Sequence, residues 1–189
     1  LNEAIEIEPH DPRFYISRGA FKEKENYEDA IEDYTKAIEI EPNSVFAYRL
    51  RGDSKRKLGD YQGAINDLYE RNISIVSSSG NSGTEVYGSP SSCNNVISVA
   101  ATEATGNRAY YSTFNDLVDI AAPGGDVGTD ANADGYGDGV LAFGSNEDLA
   151  FYQGTSMASP HVAGAIGILY ALVPELLSSQ VEALIVDGQ

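Results

Sequence analysis

A serine that could act as a nucleophile, Ser156, lies between a glycine turn and a run of very small residues. Gly154 allows the chain to turn without the steric cost of a Cβ, and Thr155 can cap the following helix. At the start of a helix, free backbone N–H groups and the positive end of the helix dipole favour a developing anion. The small residues that follow are Ala158, Ala163, Gly164, Ala165 and Gly167. This pattern predicts a buried central helix that runs to about Leu172, with a serine at its mouth.

The eleven residues from Gly154 to Gly164 resemble the nucleophile motif of the subtilisin-like serine peptidases (subtilases) at every position. The resemblance implies that Ser156 is the catalytic nucleophile that forms an acyl-enzyme. It also implies that the substrate is a peptide or protein and that no cofactor is required. The alternative, from the residues alone, is a tightly packed core helix with an incidental serine.

A glycine-rich loop, residues 77–83, follows a predicted strand and is the second candidate for chemistry. Ligand groups often lie at this end of a parallel strand. The loop resembles the subtilase segment whose Asn side chain donates to the oxyanion, which implies that Asn81 is catalytic. The same resemblance assigns one wall of the substrate pocket to Ser78, Ser79 and Gly80. Without the resemblance, an Asn between glycines is more often a turn residue.

The second half of the chain has the pattern of an α/β fold. Short apolar runs predict strands at 73–76, 96–101 and 117–121, and apolar spacing predicts a final helix at 178–186. By resemblance, residues 72–189 are the carboxyl-terminal part of a subtilase catalytic domain, with a partial parallel sheet around the central helix.

An acidic loop, residues 130–138, has the spacing of a calcium-binding loop. Oxygen ligands occupy its positions 1, 3, 5 and 9, and these are Asp130, Asn132, Asp134 and Asp138. Gly135 fills the turn position, but Leu141 stands where the closing acid belongs. The residues that could complete the site are Asp126, Glu147 and Asp148. The alternatives are a structural calcium ion and a mobile acidic surface loop.

The first part of the chain, residues 1–71, contains a repeat. The segment 4–9 recurs at 37–42, a shift of 33, and Asn26-Tyr27 recurs as Asp60-Tyr61, a shift of 34. The pattern resembles tetratricopeptide repeats, which are helical hairpins that bind peptides. It implies an all-α segment with one complete unit between partial ones, and a peptide as its possible partner. With fewer than about three units, we expect this segment to be marginally stable.

Charge divides the chain at the same border. Residues 1–71 hold 11 of the 12 Lys and Arg and 16 of the 29 Asp and Glu, so residues 72–189 carry a net charge of −12 with only Arg108 as a cation. Such a surface argues against binding to nucleic acid or to an anionic membrane. Cys93, the single cysteine, cannot form an internal disulfide, and no apolar run is long enough for a membrane span. The peptidase segment favours an extracellular location, whereas the repeats and the lack of a signal pattern favour the cytoplasm.

The chain lacks the groups that would activate Ser156. A serine becomes a good nucleophile when a base takes its proton, and in subtilases a His held by an Asp does so. The only histidines are His10, in a turn between repeats, and His161, which matches the non-catalytic His of the motif. The segments that carry the family's catalytic Asp and His are not found. We expect the isolated chain to fold poorly, to expose a sheet edge and to have little or no peptidase activity.

Three functional hypotheses remain open from the sequence. The first is a serine endopeptidase by family, defective as this polypeptide. The second is a repeat-based interaction scaffold with an inert appendage. The third is a truncated or chimeric gene product.

Overall fold

The computed structural model describes residues 1–144 and 148–187, and Glu147 is the one predicted site residue outside these ranges. The chain divides into two compact units, Leu1–Ile73 and Ser74–Gln189, close to the change in composition after residue 71. No helix in the described residues is both long enough and apolar enough to cross a membrane.

The first unit, all of whose residues are described, is helical. Its helices are α1 Asn2–Ile7, α2 Pro12–Lys22, α3 Tyr27–Ile40, α4 Val45–Lys57 and α5 Tyr61–Tyr69. Three of them begin at a side chain that accepts from the first turn: Asp11 from Arg13 N, Asn26 from Glu28 N, and Asp60 from Gly63 N. These caps satisfy backbone donors that have no partner within the helix. The predicted helical segment is therefore present, while its assignment to the tetratricopeptide family stays a prediction.

The sequence repeat is also a repeat of buried ionic contacts. Arg18 donates to both carboxylate oxygens of Asp33, at 2.9 and 2.6 Å, and Lys22 Nζ lies 3.0 Å from Asp33 Oδ2. The equivalent triad one repeat later consists of Arg51, Lys55 and Asp67. Burial works against the ionised form of Asp33, but its hydrogen bonds with Arg18 and Lys22 outweigh this and lower the pKa of the carboxyl below its ordinary value of 3.8. In each repeat, a buried carboxylate thus joins the two helices by contacts with an Arg and a Lys.

The second unit is built on a parallel sheet. Its strands are β1 Val76–Ser78, β2 Ile97–Thr102 and β3 Ile120–Pro123, in the order β1–β2–β3. Val76 lies opposite Ile97, and Val99 lies opposite Ile120. The predicted strands are all found, displaced by one to three residues toward their carboxyl ends. This confirms the α/β class and the partial parallel sheet.

A long helix, α6 Thr155–Leu172, packs on this sheet and is followed by α7 Ser178–Glu182 and a π-helical segment Ala183–Asp187. The residues of the shared core include Val99, Ala101, Ala158, Val162, Ile166 and Val181. The prediction of a buried central helix holds for one face only. Ile168 and Leu172 on the other face are 63% and 74% exposed, and a Cβ added at Gly164 or Gly167 would contact nothing within 4 Å. Of the small residues predicted to allow close packing, Ala158 lies in the core, whereas Gly164 and Gly167 have no neighbour on this face within the described ranges.

An antiparallel pair of strands, β4 Val140–Phe143 and β5 Leu149–Tyr152, precedes α6. Sequence reasoning missed both strands. They follow the acidic loop, whose glycines and acids dominate the local composition. Gly154 N donates to Gly124 O at 3.0 Å, which joins the end of the β5 segment to the turn after β3.

We expect Asp33→Asn to lower the free energy of unfolding of the helical unit by about 2 kcal/mol at neutral pH, because the two cations would face an uncharged amide. The pKa of Asp33 is lower in the folded than in the unfolded state. The stabilisation by Asp33 is therefore complete at pH values above its pKa in the unfolded state. It is lost as the pH falls through its pKa in the folded state. The wild-type chain should lose stability below about pH 4, and the variant should lose less.

Thermal unfolding of the full chain at neutral and acidic pH, followed by circular dichroism, measures this difference. Asp53→Asn is the control, because the more exposed Asp53 lies 3.6 Å from Arg49 and 3.8 Å from Arg56. Its expected effect is below about 1 kcal/mol. Equal losses in the two variants would contradict the role given to the buried triad.

Candidate active site

Ser156 lies in the first turn of α6, and its side chain is exposed. Gly154 forms the N-cap with a φ of 147°, a conformation in which any side chain would be strained. The predicted cap by Thr155 is wrong: no side chain caps this helix, and Thr155 is its first residue. The Ser156 backbone N–H and the serine hydroxyl therefore lie together at the helix mouth.

Thr155 instead fixes the side chain of Asn81. Asn81 Oδ1 accepts from both Thr155 N and Thr155 Oγ1, each at 2.9 Å. The same Thr155 hydroxyl accepts from Gly80 N at 3.3 Å, and Thr155 is only 1% exposed. Because Oδ1 is held by Thr155, the Nδ2 group of Asn81 faces Gly154. If Gly154 had a Cβ atom, that atom would lie 3.3 Å from Asn81 Nδ2. Ser156 and Asn81, predicted from separate motifs, are thus brought to the same helix end.

The turn that carries Ser156 is held by the buried Tyr111, which the sequence analysis did not single out. The Tyr111 hydroxyl accepts from Gly154 N at 3.0 Å and donates to Gly125 O at 2.7 Å. Burial raises the pKa of Tyr111 above its ordinary value, so the phenol keeps the proton that it donates. A tyrosine within a polar segment gives no signal that would identify this role.

The three residues predicted to line the substrate pocket differ in their surroundings. Ser78 ends β1 and is half-buried. Ser79 is buried, and its hydroxyl donates to Thr113 O at 3.0 Å, so this side chain is engaged inside the fold. Gly80 has a φ of +111°, and a Cβ there would lie 3.0 Å from Thr113 Oγ1. A substrate contact at Ser79 would therefore use its backbone.

None of the described hydrogen bonds joins His161 to Ser156. His161 is exposed on α6, and its Nδ1 lies 2.8 Å from Met157 O, one turn earlier on the same helix. His10 belongs to the helical unit. Asp126 is buried beside the turn after β3, where its Oδ1 accepts from Gly128 N at 2.8 Å. The described contacts therefore bring a serine hydroxyl and an oriented side-chain amide to the same helix end, and none of them joins His161 to Ser156.

The predicted calcium loop folds around its own backbone. Asp130 accepts from Asp134 N and Gly135 N, at 3.1 and 3.0 Å, and Asp138 Oδ2 accepts from Ala131 N at 2.6 Å. Asn132 Oδ1 accepts from Asp134 N as well. Among the described residues, no three side chains of His, Cys, Asp or Glu are grouped so that they could hold a metal ion. The predicted oxygen ligands accept from backbone N–H groups of their own loop, and the calcium hypothesis stays a prediction.

Comparison with known proteins gives the class first. The relatives that follow are named proteases. An extracellular protease of Xanthomonas campestris pv. campestris is 40% identical over 126 residues, which cover 66% of this chain and 21% of that protein. Thermitase of Thermoactinomyces vulgaris is 33% identical over 108 residues, which cover 57% of this chain and 34% of that protein. Among solved structures, a protease of Pseudoalteromonas arctica superposes with a TM-score of 0.59 at 33% identity, covering 67% of this chain and 38% of that one.

The model of the Subtilase family matches residues 15–188, and the chain belongs to this family. It spans 21% and 34% of the two curated relatives named above. The matched range begins inside the helical unit, and the comparisons do not support tetratricopeptide repeats there. One relative is named an extracellular protease, but this does not decide where the present chain is located.

We expect Tyr111→Phe to lower the free energy of unfolding of the second unit by about 1 kcal/mol, because the buried Gly125 carbonyl loses its donor. Tyr110→Phe is the matched control: Tyr110 is 68% exposed, and its hydroxyl accepts only from Gln153 Nε2 among the described contacts. The control should change stability by less than about 0.5 kcal/mol. Urea unfolding measures both, and equal effects would contradict the role of the Tyr111 hydroxyl.

Proposed function

We propose that residues 72–189 are the carboxyl-terminal part of a serine endopeptidase catalytic domain. The observation that carries the proposal is the pair of 2.9 Å hydrogen bonds by which Thr155 holds Asn81 beside Ser156. A nucleophile, an oriented amide donor and a backbone N–H at a helix end are what acyl transfer requires around a carbonyl group.

In this proposal Ser156 Oγ attacks the carbonyl carbon of the scissile peptide bond. The carbonyl electron pair moves to oxygen, and the resulting oxyanion is stabilised by Asn81 Nδ2–H and by the Ser156 backbone N–H. Ser78, Ser79 and Gly80 contact the substrate residue that precedes the bond, Ser79 through its backbone. Collapse of the tetrahedral intermediate breaks the C–N bond and leaves an ester on Ser156.

Ser156 Oγ must lose a proton as it attacks, and the leaving amine must gain one, so one group has to act first as a base and then as an acid. His161 is hydrogen-bonded within its own helix. We therefore assign the base and its orienting acid to a polypeptide segment outside residues 1–189, whether joined to this chain or separate. The exposed face of α6, with Gly164 and Gly167 open to close approach, supports a packing surface for that segment. Without it the chain should have little or no peptidase activity, as the sequence predicts.

A complementation experiment tests this assignment. The full chain is mixed with the catalytic-domain segment that precedes the matched region in the Xanthomonas campestris extracellular protease, and a fluorophosphonate probe reports on activated serine. The chain alone should label very slowly, and the mixture should label at Ser156. Ser156→Ala should abolish the signal, and Thr155→Val should slow it because Asn81 is no longer held.

The positive control is the Xanthomonas protein divided at the same point and reassembled from its two segments. The outcome that counts against Ser156 needs two observations. The probe labels the reassembled control, and the present chain forms a complex with the Xanthomonas segment on gel filtration but is not labelled. The assignment of Ser156 is then wrong. Fast labelling of the chain alone would show that it already contains a base.

A further inference from the structure

The antiparallel pair β4–β5 carries a contiguous apolar surface. Leu141 lies opposite Phe151, and Phe143 lies opposite Leu149, so the four side chains share one face of the pair. Their exposed fractions are 54%, 43%, 76% and 61%, in the order named. Isolated exposed apolar residues are normal, but a contiguous cluster of them indicates a binding surface. We call these four residues the β4–β5 patch.

The acidic loop extends this patch. Tyr136, which is 65% exposed, has its ring centroid 6.1 Å from that of Phe151. Aromatic rings at this separation attract each other, so the loop is attached to the patch at Tyr136. An aromatic ring next to aliphatic side chains enlarges the surface that a partner could cover.

The rim of the β4–β5 patch is negatively charged. Asp134 and Asp138 flank Tyr136 along the chain, and Asp148 directly precedes Leu149. The only Lys or Arg in residues 72–189 is Arg108, so no cation follows it along this half of the sequence. A surface with acids and without cations attracts a cationic partner and repels an anionic one.

The patch also lies close to the nucleophile along the chain. Phe151 precedes Ser156 by five residues, which limits their separation to about 18 Å even for a fully extended chain. An extended polypeptide bound at Ser156 would need roughly five residues to reach Phe151.

We propose that the β4–β5 patch is a second binding surface for polypeptide substrates and selects segments that combine apolar side chains with Lys or Arg. The apolar side chains cover the patch, and the cations pair with the acids at its rim. The assignment of the bound polypeptide as a substrate rests on the proposed peptidase function, whereas the binding itself does not.

Fluorescence anisotropy with the full chain tests the proposal directly. Two labelled peptides of equal length are compared, one in which lysine alternates with leucine and one in which glutamate alternates with leucine. The lysine peptide should bind at least about tenfold more tightly. Its affinity should fall as salt is raised to about 1 M, where the screening length is about 3 Å. Equal affinities for the two peptides would overturn the proposal.

Paired variants locate the binding. The double variant Phe143→Ser with Leu149→Ser should weaken binding of the lysine peptide by at least about tenfold. The matched control, Ile168→Ser with Leu172→Ser, alters side chains that are equally exposed on α6 and should leave binding unchanged. Because all four residues are exposed, circular dichroism should show folded proteins. If the patch variant is unfolded, Asp148→Asn with Asp134→Asn replaces it and should reduce both the affinity and its salt dependence.

Two further results would overturn the inference. The first is that the α6 control variant weakens binding of the lysine peptide as much as the patch variant does. The second is a dimer in sedimentation that forms through the patch and excludes the peptide. Ser156→Ala should bind the lysine peptide as the wild type does. Binding without Ser156 labelling in the complementation experiment would therefore reject the peptidase proposal alone. Labelling of Ser156 without patch-dependent binding would reject the second surface alone.

Discussion

The candidate site depends on the side-chain amide of Asn81, which joins two parts of the chain that are 74 residues apart in sequence. Its oxygen accepts from both the backbone and the hydroxyl of Thr155, so the amide has one orientation and its nitrogen is left for a ligand. The parallel sheet makes this contact possible. β1 leads into the loop that carries Asn81, and Ser79 N donates to Val99 O at 3.0 Å, which keeps the start of that loop in register with β2. Loss of the Asn81–Thr155 contact would leave Ser156 on a helix end without an oriented amide beside it.

The sequence yields candidate site residues where a local motif encodes them. Ser156 and Asn81 could be proposed because each lies in a short segment of glycines and polar residues, and the structure brings the two residues to the same helix end. Tyr111 was not found as a positioning residue, because its partners Gly125 and Gly154 are distant in sequence and contribute only backbone groups. The role of Thr155 was also missed for this reason: a threonine beside a helix start predicts a cap, while its actual partner is supplied by another element.

The fold was predictable to a similar extent. Apolar runs predicted the strands of the parallel sheet, but β4 and β5 were missed beside the glycine-rich acidic loop. In helix α6, the small residues are correctly read as a pattern for close packing, but only part of the packing that they predict is present. Its small residues predict burial on all sides, yet within the described residues only the face bearing Val162 and Ile166 is covered. Exposed Ile168 and Leu172 leave apolar area in contact with water, which lowers the stability that this helix contributes. The pattern is that of a helix with packing partners on both sides, in keeping with the small share of its relatives that this chain spans.

The central claim is that the chain holds a nucleophile and an oxyanion donor and lacks a base. Chemical rescue tests it most directly: the rate of Ser156 acylation by an activated ester is measured in single turnover while imidazole is added as an external base. The account predicts a rate close to background without imidazole, a steady increase with its concentration, and loss of that increase in both Ser156→Ala and Asn81→Ala. Rapid Ser156-dependent acylation without imidazole, or rescue that persists in either variant, would contradict it.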